Sequence, residues 1–143
     1  MDKLKRSVLI SIKPKFSQLI VNGKKTVELR KKVPANLAGR TVYVYSTCPE
    51  AKIIGFFQAN RVEILPVSEL WDRVRTEAGM EKEAFFDYYA EKEVGYAIFF
   101  HRFIVFDDPI SLHVLRERNP GFVPPQNYHY IDPGDLFGLH LTY

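Results

Sequence analysis

Residues 23–30, Gly-Lys-Lys-Thr-Val-Glu-Leu-Arg, combine a turn, two adjacent lysines and an alternating strand pattern. The period of two predicts a half-buried strand over 26–30, with Glu28 and Arg30 on its polar face and Lys25 at its entrance. A carboxylate held by Arg and Lys in a cleft orients those cations toward a phosphate, or serves as a base. The alternative is an exposed strand whose opposite charges form a surface ion pair of little energetic value.

The residues before this segment predict a strand and a helix. A β-branched run over 7–12 is typical of a short strand, and Pro14 suits the first turn of a helix. Apolar residues then follow at helical spacing. Asn22-Gly23 predicts a left-handed end to that helix. The 23–30 segment therefore follows a helix directly.

The residues after it predict further strands with helices between them. Expected strands cover 41–46, 52–64 and 94–106, with Gly55 marking a bulge or the close approach of another backbone, and expected helices begin at Ser68, Glu81 and Ser111. The last third is rich in turn formers, and 138–143 is expected to form a strand or a helix end. About five or six strands with two to four helices, in no regular alternation, predict an α+β or barrel-like domain.

Length and composition favour one globular domain covering residues 1–143. The longest apolar stretch, 94–106, is broken by His101 and Arg102 and falls short of the ~20 residues that a membrane span requires. No signal-peptide pattern is evident, so a cytoplasmic location is expected. The single cysteine and four histidines show no metal-ligand spacing, so neither metal nor cofactor is predicted.

Charge is distributed unevenly along the chain. Residues 1–40 hold eleven Lys and Arg against two Asp and Glu, whereas 41–143 hold nine against fifteen, within a net charge of +3. A basic third beside an acidic remainder allows one positive face, which attracts phosphate-rich partners. Nucleic acid is the first candidate partner.

The pattern Gly23-x-Lys25-x-x-Glu28-x-Arg30 resembles the G-x-K-x-x-E-x-R signature of the ASCH (activating-signal-cointegrator homology) domain. The resemblance extends over nearly the whole chain, through the segments Ser11-Ile-Lys-Pro14, Tyr43-Val-Tyr-Ser46, Lys52-Ile-Ile-Gly55, Gly95-Tyr96-Ala97, Pro109-Ile-Ser-Leu112 and Pro124-Pro-Gln126-x-Tyr128. It implies a PUA-like fold, a small pseudo-barrel of mixed strands flanked by helices.

The resemblance implies binding of RNA or single-stranded nucleic acid in a cleft between the barrel and the helices. Cations there contact phosphates, aromatic rings stack on unpaired bases, and amides read base edges. Tyr45 and Tyr130 are further candidates for stacking, with core packing as the alternative for Tyr45. The expected binding residues are Lys13, Lys25, Glu28, Arg30, Gln126 and Tyr128.

Two other function classes stay open at this point. Some ASCH relatives are ribonucleases, and small ones hydrolyse N-acetylated cytidine with a signature Lys and a Thr three residues later, where this chain has Glu28. If the protein is an enzyme, a metal-independent hydrolase with Lys25 and Glu28 as catalytic residues is expected. The third class is a protein-interaction module that docks its acidic helices over 77–93 on a partner.

Overall fold

The computed structural model describes residues 6–137 and contains eight strands and five helices in that range. The strands are β1 (Ser7–Ile12), β2 (Val27–Arg30), β3 (Thr41–Ser46), β4 (Lys52–Gln58), β5 (Arg61–Pro66), β6 (Val94–Phe99), β7 (Phe103–Ser111) and β8 (Tyr128–Ile131). The helices are α1 (Pro14–Val21), α2 (Val67–Val74), α3 (Lys82–Tyr88), α4 (Leu112–Arg118) and α5 (Pro133–Phe137). The predicted α+β class is confirmed, although the expected five or six strands are too few.

The strands form two sheets. The larger sheet has the order β7-β4-β3-β1-β8, in which β1 and β3 are parallel and the other neighbours are antiparallel. The smaller sheet has the antiparallel order β2-β6-β5. One apolar core contains Val8 and Val42 of the larger sheet together with Ile98 of the smaller one, so the two sheets share it.

Two further apolar cores attach the helices. Val27 and Leu29 of β2 pack with residues of α2 and α3, among them Leu70 and Phe85. On the far side of the larger sheet, residues of β1 and β3 pack with α4 and α5. On the opposite face of β2, Glu28 is also buried although it is charged.

Two long strands expected from the sequence are each divided in the structure. The chain leaves the larger sheet after β4 and enters the smaller one as β5, with Ala59 and Asn60 at the crossing. It returns between β6 and β7, where residues 100–102 interrupt the expected 94–106 strand. Strand-forming residues stand on both sides of each crossing, and the polar residues between them, Asn60 and Arg61 at the first and His101 and Arg102 at the second, include no Gly or Pro that would mark a break in a strand.

The ends of several elements can be compared with their predictions. The Ser111 side chain accepts a hydrogen bond from the Val114 amide at 3.2 Å, which confirms the expected cap of α4. The prediction of Ser68 as a cap is wrong, because α2 begins one residue earlier with Pro66 before it. β7 continues through Pro109, which an edge strand tolerates because proline has no amide hydrogen and a missing donor on the outer side breaks no ladder bond. The prediction for 138–143 lies outside the described residues.

Gly55 marks both a bulge and a close approach, as predicted. The β4 pairing shifts register beside it, and a Cβ at Gly55 would overlap the Ile104 carbonyl oxygen of β7. Gly55→Ala is therefore expected to lower the free energy of unfolding by about 1–3 kcal/mol, as overpacking does. Urea denaturation measures the change. Gly121→Ala is the matched control, because a Cβ there meets no heavy atom within 4 Å; equal stability of the two variants would contradict the prediction.

Candidate functional site

A cleft of about 320 Å³ opens between the two sheets. Its wall on the larger sheet comes from the end of β1, the start of α1 and the loop before β8, and its opposite wall comes from β2, α3 and Met80. The lining residues are Ser11, Ile12, Lys13, Phe16, Lys25, Glu28, Leu29, Arg30, Lys31, Lys32, Met80, Tyr88, Gln126 and Asn127. Five of these are cations and one is a carboxylate.

The turn after α1 directs Lys25 into the protein. Gly23 adopts a φ of 83°, and the Leu19 carbonyl accepts hydrogen bonds from the amides of Lys24 and Lys25, which confirms the predicted left-handed helix end. The Lys25 ammonium then donates to the Ala78 carbonyl at 2.6 Å. Only 1% of Lys25 is exposed, so it forms the floor of the cleft.

Gly79 makes the Lys25 contact possible. It adopts a φ of 66°, and a Cβ there would lie 3.2 Å from the Lys25 Cβ and 3.0 Å from the Leu19 side chain. The backbone of 77–79 therefore packs directly against the β2 entrance, where the Glu77 carbonyl also accepts a bond from the Thr26 amide. A residue with a side chain would push this backbone away from Lys25.

Glu28 joins the two buried cations of the cleft. Its Oε1 lies 3.4 Å from the Lys25 ammonium, and its Oε2 accepts a hydrogen bond from Arg30 at 3.1 Å. The Glu28 side chain is 8% exposed and that of Arg30 12%, so water screens this triad weakly. Burial lowers the pKa of Lys25, whereas the neighbouring Glu28 carboxylate opposes that shift.

Arg30 also ties three segments of the chain together. Besides Glu28 on its own strand, its Nη1 donates to the Ser11 carbonyl at 3.1 Å and its Nη2 donates to the Asn127 carbonyl at 2.7 Å. The guanidinium thus links β2 to the end of β1 and to the loop that precedes β8. The alternative of an exposed strand with a surface ion pair is wrong, because the Lys25 and Arg30 side chains are held inside the cleft wall.

The exposed part of the cleft carries lysines and one tyrosine ring. Lys13, Lys31 and Lys32 are exposed, and the Lys31 ammonium lies 4.7 Å from the centre of the Tyr88 ring. The Tyr88 hydroxyl donates to the Leu29 carbonyl at 3.4 Å, and burial raises its pKa. The ring is thereby oriented against β2 and stays neutral at physiological pH.

The structure brings together most of the residues singled out from the sequence. Lys13, Lys25, Glu28, Arg30 and Gln126 all line the cleft. Tyr128 is not among the residues that line the cleft, and its side chain packs against the core that the two sheets share. Tyr45 is 3% exposed and belongs to the core beside α4, as the core-packing alternative predicted.

The cleft residues that were not singled out as site residues include two lysines and two aromatic residues. Lys31 and Lys32 directly follow the 23–30 segment, so their position beside the motif could have identified them as cleft residues. Phe16 was assigned to the apolar face of α1, whereas its ring also lies 5.5 Å from the Lys25 ammonium. Tyr88 lies far from the motif in the chain, and no local pattern distinguishes it from the core aromatics of α3.

Comparison with known proteins identifies the family. Residues 10–100 match the family model described as the ASCH domain. The chain belongs to this family. The matched range contains the complete β2 motif and the crossing from β4 to β5, so the ASCH domain accounts for most of the cleft, whereas Gln126 and Asn127 lie beyond the matched residues.

A curated relative and a solved structure each match most of this chain. The ASCH domain-containing ribonuclease of Zymomonas mobilis is 32% identical over 129 residues, which cover 89% of this chain and 85% of the relative. The crystal structure of ASCH from Zymomonas mobilis superposes with a TM-score of 0.86 at 30% identity, covering 94% of this chain and 93% of that one. The architecture is thus the PUA-like fold.

A second relative is considerably longer than this chain. The large ribosomal subunit protein uL22 of Ureaplasma parvum is 28% identical over 120 residues, which cover 83% of this chain and 35% of that protein. The similarity therefore concerns one part of that relative.

Within residues 6–137, no helix has the length and apolar character needed to cross a membrane. Within the same range, no three His, Cys, Asp or Glu side chains are grouped as metal ligands.

Proposed function

We propose that this ASCH domain binds single-stranded RNA in the cleft between its two sheets. The observation that carries the proposal is the lining of that cleft, in which five cations and one carboxylate surround a cavity with aromatic rings and free amides at its edges. A cavity of this size class holds a small ligand such as one nucleotide. The relative named a ribonuclease supports RNA as the nucleic acid.

The cations have two different roles in this proposal. Lys25 and Arg30 are neutralised in part by Glu28 and fixed by backbone carbonyls, so they set the shape and positive potential of the floor. Lys13, Lys31 and Lys32 are exposed and carry the phosphate contacts. Phosphate contacts release counterions, so binding weakens as salt rises.

The Tyr88 ring is the stacking surface of the cleft. Lys31 now covers it in a cation–π contact, which is worth about 0.5–1 kcal/mol at an exposed site. A base that stacks on Tyr88 displaces the Lys31 ammonium, which then lies free to pair with the phosphate of the same nucleotide. The exposed amides of Gln126 and Asn127 read the base edge from the opposite wall.

Binding to labelled single-stranded RNA of about twelve nucleotides, followed by fluorescence anisotropy at several salt concentrations, tests the proposal. Lys31→Ala is expected to reduce the slope of log K against log salt by about 0.7, the value for one single-strand phosphate contact. Tyr88→Leu is expected to weaken binding about tenfold, in the range of one lost stacking contact, whereas Tyr88→Phe retains most of the affinity.

Lys92→Ala is the matched control, since Lys92 is exposed and does not line the cleft. Its affinity and salt slope should equal those of the wild type. Equal effects of Lys31→Ala and Lys92→Ala would show that binding follows general charge and not the cleft. Matched single-stranded DNA and duplex RNA establish whether the site discriminates by sugar and strandedness.

We propose metal-independent RNA cleavage as a second function, because the relative that is 32% identical is named a ribonuclease. In such a reaction the 2′-oxygen attacks the adjacent phosphorus, a base takes its proton, and the 5′-oxygen leaves with a proton from an acid. Lys25 and Glu28 are the candidate catalytic residues, since they share one buried contact and burial lowers the pKa of Lys25 below its ordinary value.

Cleavage is tested with end-labelled RNA in the presence of a chelator. A substrate with one 2′-deoxy nucleotide should resist cleavage at that position, because it lacks the nucleophile. The matched variants are Lys25→Met, which should bind RNA without cutting it, and Lys92→Ala, which should retain full activity. Products from the Lys25→Met protein at the wild-type rate would remove Lys25 from the chemistry and leave the binding proposal intact.

A further inference from the structure

Tyr130 lies outside the cleft, on the edge strand β8, between two arginines. It is 37% exposed, and the centre of its ring is 5.5 Å from Cζ of Arg6 and 5.4 Å from Cζ of Arg40. Proteins bind single-stranded nucleic acids by stacking bases on exposed aromatic rings and by pairing phosphates with nearby cations such as guanidinium groups.

The charge beside Tyr130 is held in place by the backbone. The Arg40 guanidinium donates to the Asn36 carbonyl at 2.8 Å through Nε and to the Arg6 carbonyl at 2.8 Å through Nη1. Arg40 is only 7% exposed, so its position is set by packing before any ligand arrives. Arg6 is exposed and therefore accessible to a phosphate.

A groove adjoins this group. It has a volume of about 430 Å³, and Arg6 and Tyr130 line it together with Asn119, His129 and Asp135. The volume is of the order that accommodates a nucleotide, and the amide of Asn119 and the ring of His129 offer hydrogen bonds to a base or sugar. This groove and the cleft share none of their lining residues.

Only a short segment of the chain separates the cleft from Tyr130. Asn127 lines the cleft and is fixed by Arg30, and β8 begins at the next residue. Tyr130 follows three residues later, a span of about 10 Å in an extended strand. The ring centres of Tyr128 and Tyr130 are 6.0 Å apart, and their pairing with Ile10 and Val8 places both on the sheet face of the shared core. The groove lies on the α4 and α5 side of the sheet, so it and the Tyr130 ring meet at the outer edge of β8.

We propose that Arg6, Arg40 and Tyr130 form a second nucleotide subsite, occupied by a neighbouring part of the same single strand that enters the cleft. The inference rests on the proposed function, because the subsite extends the path of that strand along the outer edge of β8. A base stacks against Tyr130 while Arg6 pairs with a phosphate. The protein thus binds a segment of several nucleotides, with its affinity dependent on the length of the RNA.

The test compares a dinucleotide with an RNA of about twelve nucleotides, a length in the range that single-strand binding surfaces cover. Tyr130→Leu is expected to weaken binding of the longer RNA about tenfold and to leave the dinucleotide affinity unchanged. Tyr130→Phe, which keeps the ring, should bind both as the wild type does. Arg6→Gln should reduce the salt slope for the longer RNA only, by about 0.7.

Each contrary result points to a different error. Wild-type affinity of both Tyr130→Leu and Arg6→Gln for the longer RNA, with Lys31→Ala still impaired, would remove the subsite and leave the cleft. Equal losses on the dinucleotide and the longer RNA would also overturn the subsite, because Tyr130 would then act on the cleft itself. Failure of the wild type to bind either RNA in a salt-dependent manner would remove the cleft proposal and the subsite together.

Discussion

Glu28→Gln is expected to lower the free energy of unfolding by about 3–5 kcal/mol, the usual loss when one partner of a buried ion pair is removed. The variant keeps the shape of the side chain but leaves Lys25 and Arg30 as neighbouring buried cations without a carboxylate. Their mutual repulsion and incomplete solvation are the physical cause. Urea denaturation at neutral pH measures the difference.

The loss caused by Glu28→Gln should depend on pH in a defined direction. Without Glu28 the pKa of Lys25 falls further below 10.5, its ordinary value, because the carboxylate is what opposes the effect of burial. At a pH between the pKa of Lys25 in the folded protein and its pKa in the unfolded chain, the unfolded chain binds more protons. The free energy of unfolding therefore rises with pH in that interval. The gap between variant and wild type should therefore narrow as pH rises from neutral toward 10.5.

Glu63 provides a matched control for Glu28. It also lies between two arginines, at 2.8 Å from Arg61 and 2.9 Å from Arg73, and these arginines lower its pKa to about 2. Both arginines are about half exposed, so Glu63→Gln is expected to cost about 0.5 kcal/mol. Equal losses at Glu28 and Glu63 would show that burial of the cleft triad has no energetic consequence.

Arg30→Lys is expected to weaken RNA binding more than tenfold and to lower the free energy of unfolding by about 2–3 kcal/mol, the contribution of hydrogen bonds to a charged group. One ammonium cannot replace a planar guanidinium that reaches the Ser11 carbonyl, the Glu28 carboxylate and the Asn127 carbonyl together. The loop that carries Gln126 then separates from β2, and the cleft loses one wall.

Arg73→Lys is the matched control for Arg30→Lys. Arg73 also makes a two-nitrogen contact with a carboxylate, but on an exposed surface outside the cleft. It should retain full RNA affinity and nearly full stability in the same anisotropy and urea measurements. Wild-type RNA binding by Arg30→Lys would mean that the Asn127 loop does not contribute to the cleft.

The sequence predicted those parts of the fold that depend on local patterns. β1, β3 and the end of α1 at Gly23 follow from alternation, β-branched composition and turn chemistry, each readable within a few residues. The division of residues 52–64 and 94–106 was not predicted, because the chain changes sheets at short polar interruptions that contain no Gly or Pro. Assignment to one sheet or the other depends on contacts between distant segments.

The same distinction applies to the candidate site. Glu28 and Arg30 share a strand face, so their neighbourhood was readable from the spacing. The burial of Lys25 could not be predicted from the sequence, because it depends on the Ala78 carbonyl and on the close approach of Gly79. The fold brings both residues back to the β2 entrance. The arrival of Tyr88 in the cleft has the same origin, since α3 reaches β2 only through the helical core.

The path of β7 along the outside of the larger sheet has a consequence for how copies of the protein behave at high concentration. An unpaired strand edge is a template on which a second molecule can add its own strand and begin to aggregate. β7 carries the exposed pair Asp107 and Asp108 next to Pro109, which has no amide to donate. Like charges and a missing amide donor make that edge a poor template for a second strand. Residues that in the sequence indicated only the end of a strand thus reduce the tendency of the protein to aggregate.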